Sequence, residues 1–167
     1  MVTLVDRLNR GLLGLIAFIF GLVTLLTIYQ VFARYVLNSP LVWSEEIIRY
    51  SMVWIVLLGT AIALRKGLLI SVEVILQVVP KKLKKILEII IVGLNVVFLS
   101  FLIIYGMELI HITSGQKVGA LDLPVSVIYW AVPVSGAIGI INALIVFIEI
   151  FTGKDKEEDK IDGSALI

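Results

Sequence analysis

Four long apolar stretches divide the chain, and each is bounded by charged or polar residues. The uncharged runs are Gly11 to Ala33, Tyr50 to Leu64, Ile89 to Met107 and Leu123 to Ile148. A helix needs about 20 largely apolar residues to cross the hydrocarbon core of a bilayer. The pattern therefore predicts an all-α membrane protein whose spanning helices cover about 10–36, 41–65, 84–110 and 123–151.

The second run is short for a membrane span unless its helix begins well before Tyr50. Ser39 is a suitable N-cap, and Pro40 suits the first helical position. These residues favour a start near Leu41. Pro133 lies inside the fourth predicted span, where its ring is expected to kink the helix.

A shorter apolar segment, 68–79, lies between the second and third spans. Glu73, Gln77 and Lys81 are spaced by four and form one polar stripe on a helix, and Pro80 follows the segment. This amphipathic pattern favours a short helix on the membrane surface. A cytoplasmic extension of the second span is the alternative.

The composition supports membrane insertion. Hydrophobic residues make up 60% of the 167 residues and charged residues 16%, against roughly 45–50% and about 25% in soluble domains. A soluble chain of this size could not bury so much apolar surface. We expect one four-helix transmembrane domain over 1–153 and a charged cytoplasmic tail over 154–167.

The distribution of Lys and Arg predicts the orientation. Most basic residues lie before the first span, between the second and third, and in the tail. Only Arg34, Arg49 and Lys117 lie on the opposite side. Because cytoplasmic loops carry the excess of Lys and Arg, both termini should face the cytoplasm of a bacterial or archaeal inner membrane.

Several functional classes are disfavoured. The net charge of +1 argues against nucleic-acid binding, and the chain has no cysteine and one histidine. Glu108 and His111 form one Glu-x-x-His pair, whereas di-iron bundles need two such pairs and two more glutamates. We expect no cofactor, no metal site and no enzymatic activity, and interpret this pair as the polar end of the third helix.

The centres of the spans indicate packing rather than a transport path. An ionisable residue at mid-span would suggest function, but the first span has none between Arg10 and Arg34. The third span offers only Asn95 there, and the fourth has Ser135 and Asn142. Small residues four apart let helices approach closely, and two such sets are present: Gly59 and Ala63 on the second span, and Ser135, Gly139 and Ala143 on the fourth. Contact with another subunit and contact inside the bundle are both open.

The polar residues collect at the membrane edge where the first two spans meet. They are Arg34, Trp43, Ser44, Glu45, Glu46 and Arg49. Glu45 and Glu46 point about 100° apart on a helix, so they do not converge on one substrate atom. We interpret the group as an ion cluster that holds the first hairpin, with Arg34 paired to a glutamate, or that docks a partner.

These residues resemble a known family, the small membrane subunit of tripartite ATP-independent periplasmic (TRAP) transporters. The resemblance covers roughly 5–150. It rests on Arg34-Tyr35, Trp43-Ser44-Glu45-Glu46, Arg49-Tyr50, Trp54, Gly59, Arg65-Lys66-Gly67, Ala120-Leu121-Asp122-Leu123-Pro124, Tyr129 and Pro133. The chain departs from the family at Leu69, where many members have a histidine.

The resemblance implies a non-catalytic subunit of a sodium-coupled importer of organic acids such as C4-dicarboxylates, sialic acid or other sugar acids. Its expected partners are one large elevator-type permease subunit, on whose static scaffold it would pack, a transiently bound periplasmic substrate-binding protein, and membrane lipids. An autonomous homo-oligomeric transporter or channel is the alternative, and it would need polar residues along a path.

Overall fold

The computed structural model describes residues 2–65, 81–117 and 124–152. Its helices are α1 (Val2–Tyr35), α2 (Val42–Arg65), α3 (Lys81–Thr113), α4 (Ser126–Tyr129) and α5 (Ala131–Thr152). Among these described residues, four helical stretches are long and apolar enough to cross a membrane: Leu4–Tyr35, Val42–Arg65, Lys85–Thr113 and Ser126–Ile150. The predicted all-α membrane fold is thereby confirmed. The predicted surface helix at 68–79 and the tail at 154–167 lie outside the described residues.

The helix ends follow local chemistry. α1 begins at Val2, ahead of the expected start near residue 10, because no glycine or proline interrupts the chain before Arg10. It ends at Tyr35. The chain then turns through a left-handed Asn38 (φ 48°), and the Ser39 N–H donates to the Ala33 carbonyl across 3.1 Å. Ser39 therefore closes α1, and α2 begins at Val42.

The fourth span is divided into two helices just before Pro133, where the sequence predicts a kink. A proline ring collides with the carbonyl four residues earlier, here that of Tyr129. The span accordingly divides into α4, which ends at Tyr129, and α5, which begins at Ala131. Trp130 between them keeps helical dihedrals (φ −58°, ψ −25°), so the two pieces continue in a helical path.

α5 is the central element of the bundle. It packs against both α2 and α3, while α1 packs against α2. In the most apolar stretch of the α4–α5 span, 44% of the residues are buried. In the corresponding stretch of each of the other three spans, 11% are buried. The bundle is therefore built around its last helix, and the outer faces of α1, α2 and α3 are left for lipid or for another protein.

Candidate functional site

The first polar centre lies where α1 ends and α2 begins. The Arg34 guanidinium donates a hydrogen bond to the Glu45 carboxylate and forms an ion pair with it. The side chains are 48% and 39% exposed. The structure therefore brings two of the predicted cluster residues together across the first hairpin, at a partly solvated position where one ion pair stabilises little.

The other cluster residues have different environments. Ser44 is fully buried, and its hydroxyl donates to the Leu41 carbonyl across 2.7 Å, which closes the first turn of α2. Trp43 is 41% exposed and Glu46 is half-buried. Arg49 is exposed and makes no hydrogen bond or ion pair with the described residues. The cluster is thus one cross-helix pair with a second, outward-facing cation beside it.

A second polar centre, missed from the sequence, ties three helices together at the opposite end of the bundle. Arg65, the last residue of α2, donates from Nε to Asp6 Oδ1 of α1 across 2.9 Å. The same guanidinium donates from Nη1 and Nη2 to the two carboxylate oxygens of Glu149 on α5, across 2.5 and 2.6 Å. Arg65 and Glu149 are each 13% exposed, so this forked pair is well shielded.

A buried amide layer lies next to that ion cluster. Asn142 of α5 and Asn9 of α1 are 0% and 6% exposed. The Asn9 amide nitrogen donates to Asn142 Oδ1 across 2.7 Å, and the Asn142 amide nitrogen donates to the Ala61 carbonyl of α2 across 2.8 Å. The Asn142 side chain therefore forms hydrogen bonds with both α1 and α2. The sequence identifies Asn142 as a mid-span polar residue, but it does not identify Asn9 and Ala61 as its partners.

A sequence signal for the ion cluster existed. Asp6 precedes the first span, Arg65 ends the second and Glu149 ends the fourth. With an even number of spans, these three positions fall at the same membrane edge. This shared edge is the signal that could have predicted Arg65 as the partner of the two acidic residues.

The two sets of small residues face different surroundings. Ser135, Gly139 and Ala143 are buried within the chain. A Cβ on Gly139 would lie 3.0 Å from Leu99 Cδ1 of α3 and 3.6 Å from Leu64 Cδ1 of α2. In contrast, a Cβ on Gly59 would meet nothing within 4 Å, and Ala63 is half-buried. The α5 set packs inside the bundle, whereas the α2 set is half-buried and has open space beside Gly59.

The remaining candidates show no sign of chemistry. Asn95 donates to the Ile91 carbonyl of its own helix across 2.9 Å. Glu108 and His111 are exposed near the end of α3. Among the residues that the structure describes, no group of three or more His, Cys, Asp or Glu is placed to hold a metal ion.

Comparison with known proteins assigns the family. Residues 23–153 match the model of the tripartite ATP-independent periplasmic transporters, DctQ component. The chain is 33% identical over 92 residues to the C4-dicarboxylate TRAP transporter small permease protein DctQ of Vibrio cholerae, covering 55% of this chain and 39% of that protein. It is 28% identical over 161 residues to a putative TRAP transporter small permease protein of Haemophilus influenzae, covering 93% and 99%.

A third relative is much longer than this chain. The sialic acid TRAP transporter permease protein SiaT of Haemophilus influenzae is 33% identical over 82 residues, which are 48% of this chain and 13% of that protein. The chain thus spans well under half of the matched Vibrio protein and a small part of SiaT. The family match covers most of the four-helix bundle, and with its spanning helices this chain belongs to the DctQ component family of TRAP transporters, a family of multi-pass inner-membrane transporter subunits rather than enzymes.

Proposed function

We propose that this chain is the small, non-catalytic membrane subunit of a sodium-coupled importer of organic acids. In this proposal it packs, one to one, on the static scaffold of a large elevator-type permease, so that the mobile part of that permease moves against a fixed body. A periplasmic substrate-binding protein would deliver the substrate. Membrane lipids would cover the remaining outer surface, and both termini would lie in the cytoplasm.

The observation that carries the proposal is the relation to SiaT. A region similar to this chain is contained there within a far longer permease polypeptide. The names of the relatives supply the substrate class, since one is a C4-dicarboxylate and another a sialic acid transporter protein. Substrate chemistry would belong to the large subunit and the binding protein.

The interior of the bundle is consistent with a supporting role. The buried amides of Asn9 and Asn142 are hydrogen-bonded to each other and to a helix carbonyl, and Ser44 is bonded within its own helix turn. Side chains that already have partners are poor ligands for a passing ion or substrate. This favours the subunit over the alternative of an autonomous homo-oligomeric channel.

The test is co-purification followed by transport. The tagged chain, expressed from its own locus and extracted in mild detergent, should retain a large hydrophobic permease at a one-to-one ratio. Vesicles that contain both subunits, supplied with the binding protein and a sodium gradient, should accumulate a carboxylate substrate, and vesicles with this chain alone should not. Uptake by this chain alone would overturn the proposal.

The predicted cluster gives a sharper form of the test. Replacing Glu45 and Glu46 together by glutamine removes the ion pair with Arg34 and should lower permease recovery or uptake severalfold. Glu108→Gln, at an exposed position near the end of α3, is the matched control and should leave both unchanged. Equal recovery and uptake for all three proteins would remove the cluster from the docking surface.

A further inference from the structure

One face of α2 is left largely uncovered by the other helices that the structure describes. Arg49, Met52, Val56, Gly59 and Ala63 follow one another at alternating intervals of three and four residues, so they lie along one line of the helix. We refer to these five residues as the α2 outer seam. Met52 and Val56 are 49% and 60% exposed.

The bundle uses a different face of the same helix. The buried residues of α2 are Ser44, Ala61 and Ile62, which lie on the side turned toward the other helices. A Cβ on Gly59 would meet nothing within 4 Å. The α2 outer seam therefore has exposed side chains at Met52 and Val56 and open space beside the Gly59 backbone.

Arg49 is the charged side chain of the α2 outer seam. It lies about 10 Å along the axis from the start of the helix, at 1.5 Å per residue, and its helix is one of the four spanning stretches. The side chain is exposed and has no hydrogen bond or ion pair within the described part of the chain. A guanidinium stays charged and presents five N–H donors, which a carboxylate on a neighbouring helix or a lipid phosphate would accept.

The small residues indicate which of these acceptors it is. Gly59 and Ala63 are spaced by four, which lets a second helix approach the backbone closely. Lipid tails need no such gap. The outer face of α3 shows the contrast, because it carries exposed Phe98, and Phe101 stacks on Tyr105 with ring centroids 6.0 Å apart. That bulky face suits lipid, and the α2 outer seam suits a helix.

We propose that the α2 outer seam packs against one apolar membrane helix of the large permease, and that Arg49 pairs there with a carboxylate on that helix. The inference rests on the proposed function, because the helix belongs to the permease assigned above. It adds the docking face and the charge of the opposing residue. The Arg34–Glu45 pair, one turn from Arg49 on the same side of α2, would continue the contact toward the membrane edge.

Photo-crosslinking in cells that express the tagged chain with its permease tests the face. A photoreactive phenylalanine analogue placed at Val56 should give one crosslinked product that contains the permease. The control is Val97 on α3, which is 55% exposed and faces outward in the same way, and it should give none. A product from Val97 but not Val56, or a product that joins two copies of this chain, would overturn the proposal.

Substitutions test the chemistry. Gly59→Leu should lower the permease recovered per tagged chain at least fivefold, whereas Gly93→Leu on α3, where a Cβ also meets nothing within 4 Å, should change it less than twofold.

Arg49→Gln should lower recovery severalfold, and Arg49→Lys should restore part of it. Arg10→Gln, at an exposed position of α1, is the control and should have no effect. Immunoblots of the membrane fraction and thermal melts of the isolated chain verify that each variant inserts and folds.

The outcomes separate the two proposals. If the unaltered chain recovers a permease and the Gly59 and Gly93 variants behave alike, the docking face is wrong and the proposed function stands. If only Arg49→Gln lowers recovery and Gly59→Leu does not, the close approach of a helix at Gly59 is wrong, so the docking face fails while the proposed function stands. If the unaltered chain recovers no permease, the proposed function fails and the docking face fails with it.

Discussion

Polar side chains in this bundle fall into two groups according to where their partners lie. Thr24, Thr27 and Asn95 bond to carbonyls four residues earlier in their own helices, so they need no tertiary contact. Asn142 and Arg65 bond to other helices, at separations of 133 and 84 residues for Asn9 and Glu149. Because an unpaired polar group in hydrocarbon costs several kcal/mol, the second group specifies which helices are neighbours.

The forked ion pair of Arg65 should be the most sensitive of these contacts. Arg65→Met leaves the Glu149 carboxylate, 13% exposed, without its cation, and removing one member of a shielded pair costs about 3–5 kcal/mol. We expect the melting temperature of the detergent-solubilised chain, followed by tryptophan fluorescence, to fall by at least roughly 6 °C. Arg10→Met, at an exposed position of α1, is the control and should shift it little.

A double variant separates lost attraction from an uncompensated charge. Arg65→Met combined with Glu149→Leu removes both members of the pair, and an apolar replacement of a buried ion pair is often neutral. The double variant should therefore regain more than half of the lost melting temperature. A double variant that is less stable than Arg65→Met would show that Glu149 does not depend on Arg65.

At the scale of elements, the position of α5 between α2 and α3 follows from its small residues. Ser135, Gly136, Gly139 and Ala143 are all buried, and a Cβ on Gly136 would lie 2.8 Å from Ile103 Cγ1 of α3. Without a driving force from water inside a membrane, helix association depends on such close packing. α5 is central because its surface lets two neighbours approach at once.

Overfilling that contact should loosen α5 from α3. Gly136→Val introduces a branched side chain where even a Cβ is too close to Ile103, and overpacking of this kind costs about 1–3 kcal/mol. We expect a lower melting temperature and faster amide exchange in α5 by mass spectrometry. Gly14→Val on α1, where a Cβ meets nothing within 4 Å, is the matched control, and equal effects of the two substitutions would contradict the packing argument.

For the whole molecule, the sequence predicted the parts that depend on local pattern. The spans followed from hydropathy, the break near Pro133 from a known steric conflict, and the Arg34–Glu45 pair from a short connection that places both residues at one edge. The Asp6–Arg65–Glu149 cluster and the amide layer were missed because they depend on which helices are adjacent. An amphipathic pattern does not distinguish those neighbours when every span is apolar on most sides.

The orientation of the molecule in the membrane is a prediction that this chain is well suited to test. It contains no cysteine, so a single introduced thiol reports one position. Ser114→Cys, just past the end of α3, and Thr152→Cys, at the exposed end of α5, both lie at the C-terminal ends of their spans. Because consecutive spans cross the membrane in opposite directions, the two thiols should face opposite sides. Because Lys and Arg cluster on the side of the termini, a membrane-impermeant maleimide added to spheroplasts should label position 114 and not 152.

Detergent permeabilisation provides the control for that labelling, since both thiols should then react. Labelling of position 152 alone in intact spheroplasts would reverse the orientation and place the Arg65 cluster at the periplasmic edge. Labelling of both would contradict a single orientation of the four spans. The predicted result places the Arg34–Glu45 pair and Arg49 near the periplasmic surface, so that the proposed carboxylate partner of Arg49 must lie in the outer half of a permease helix.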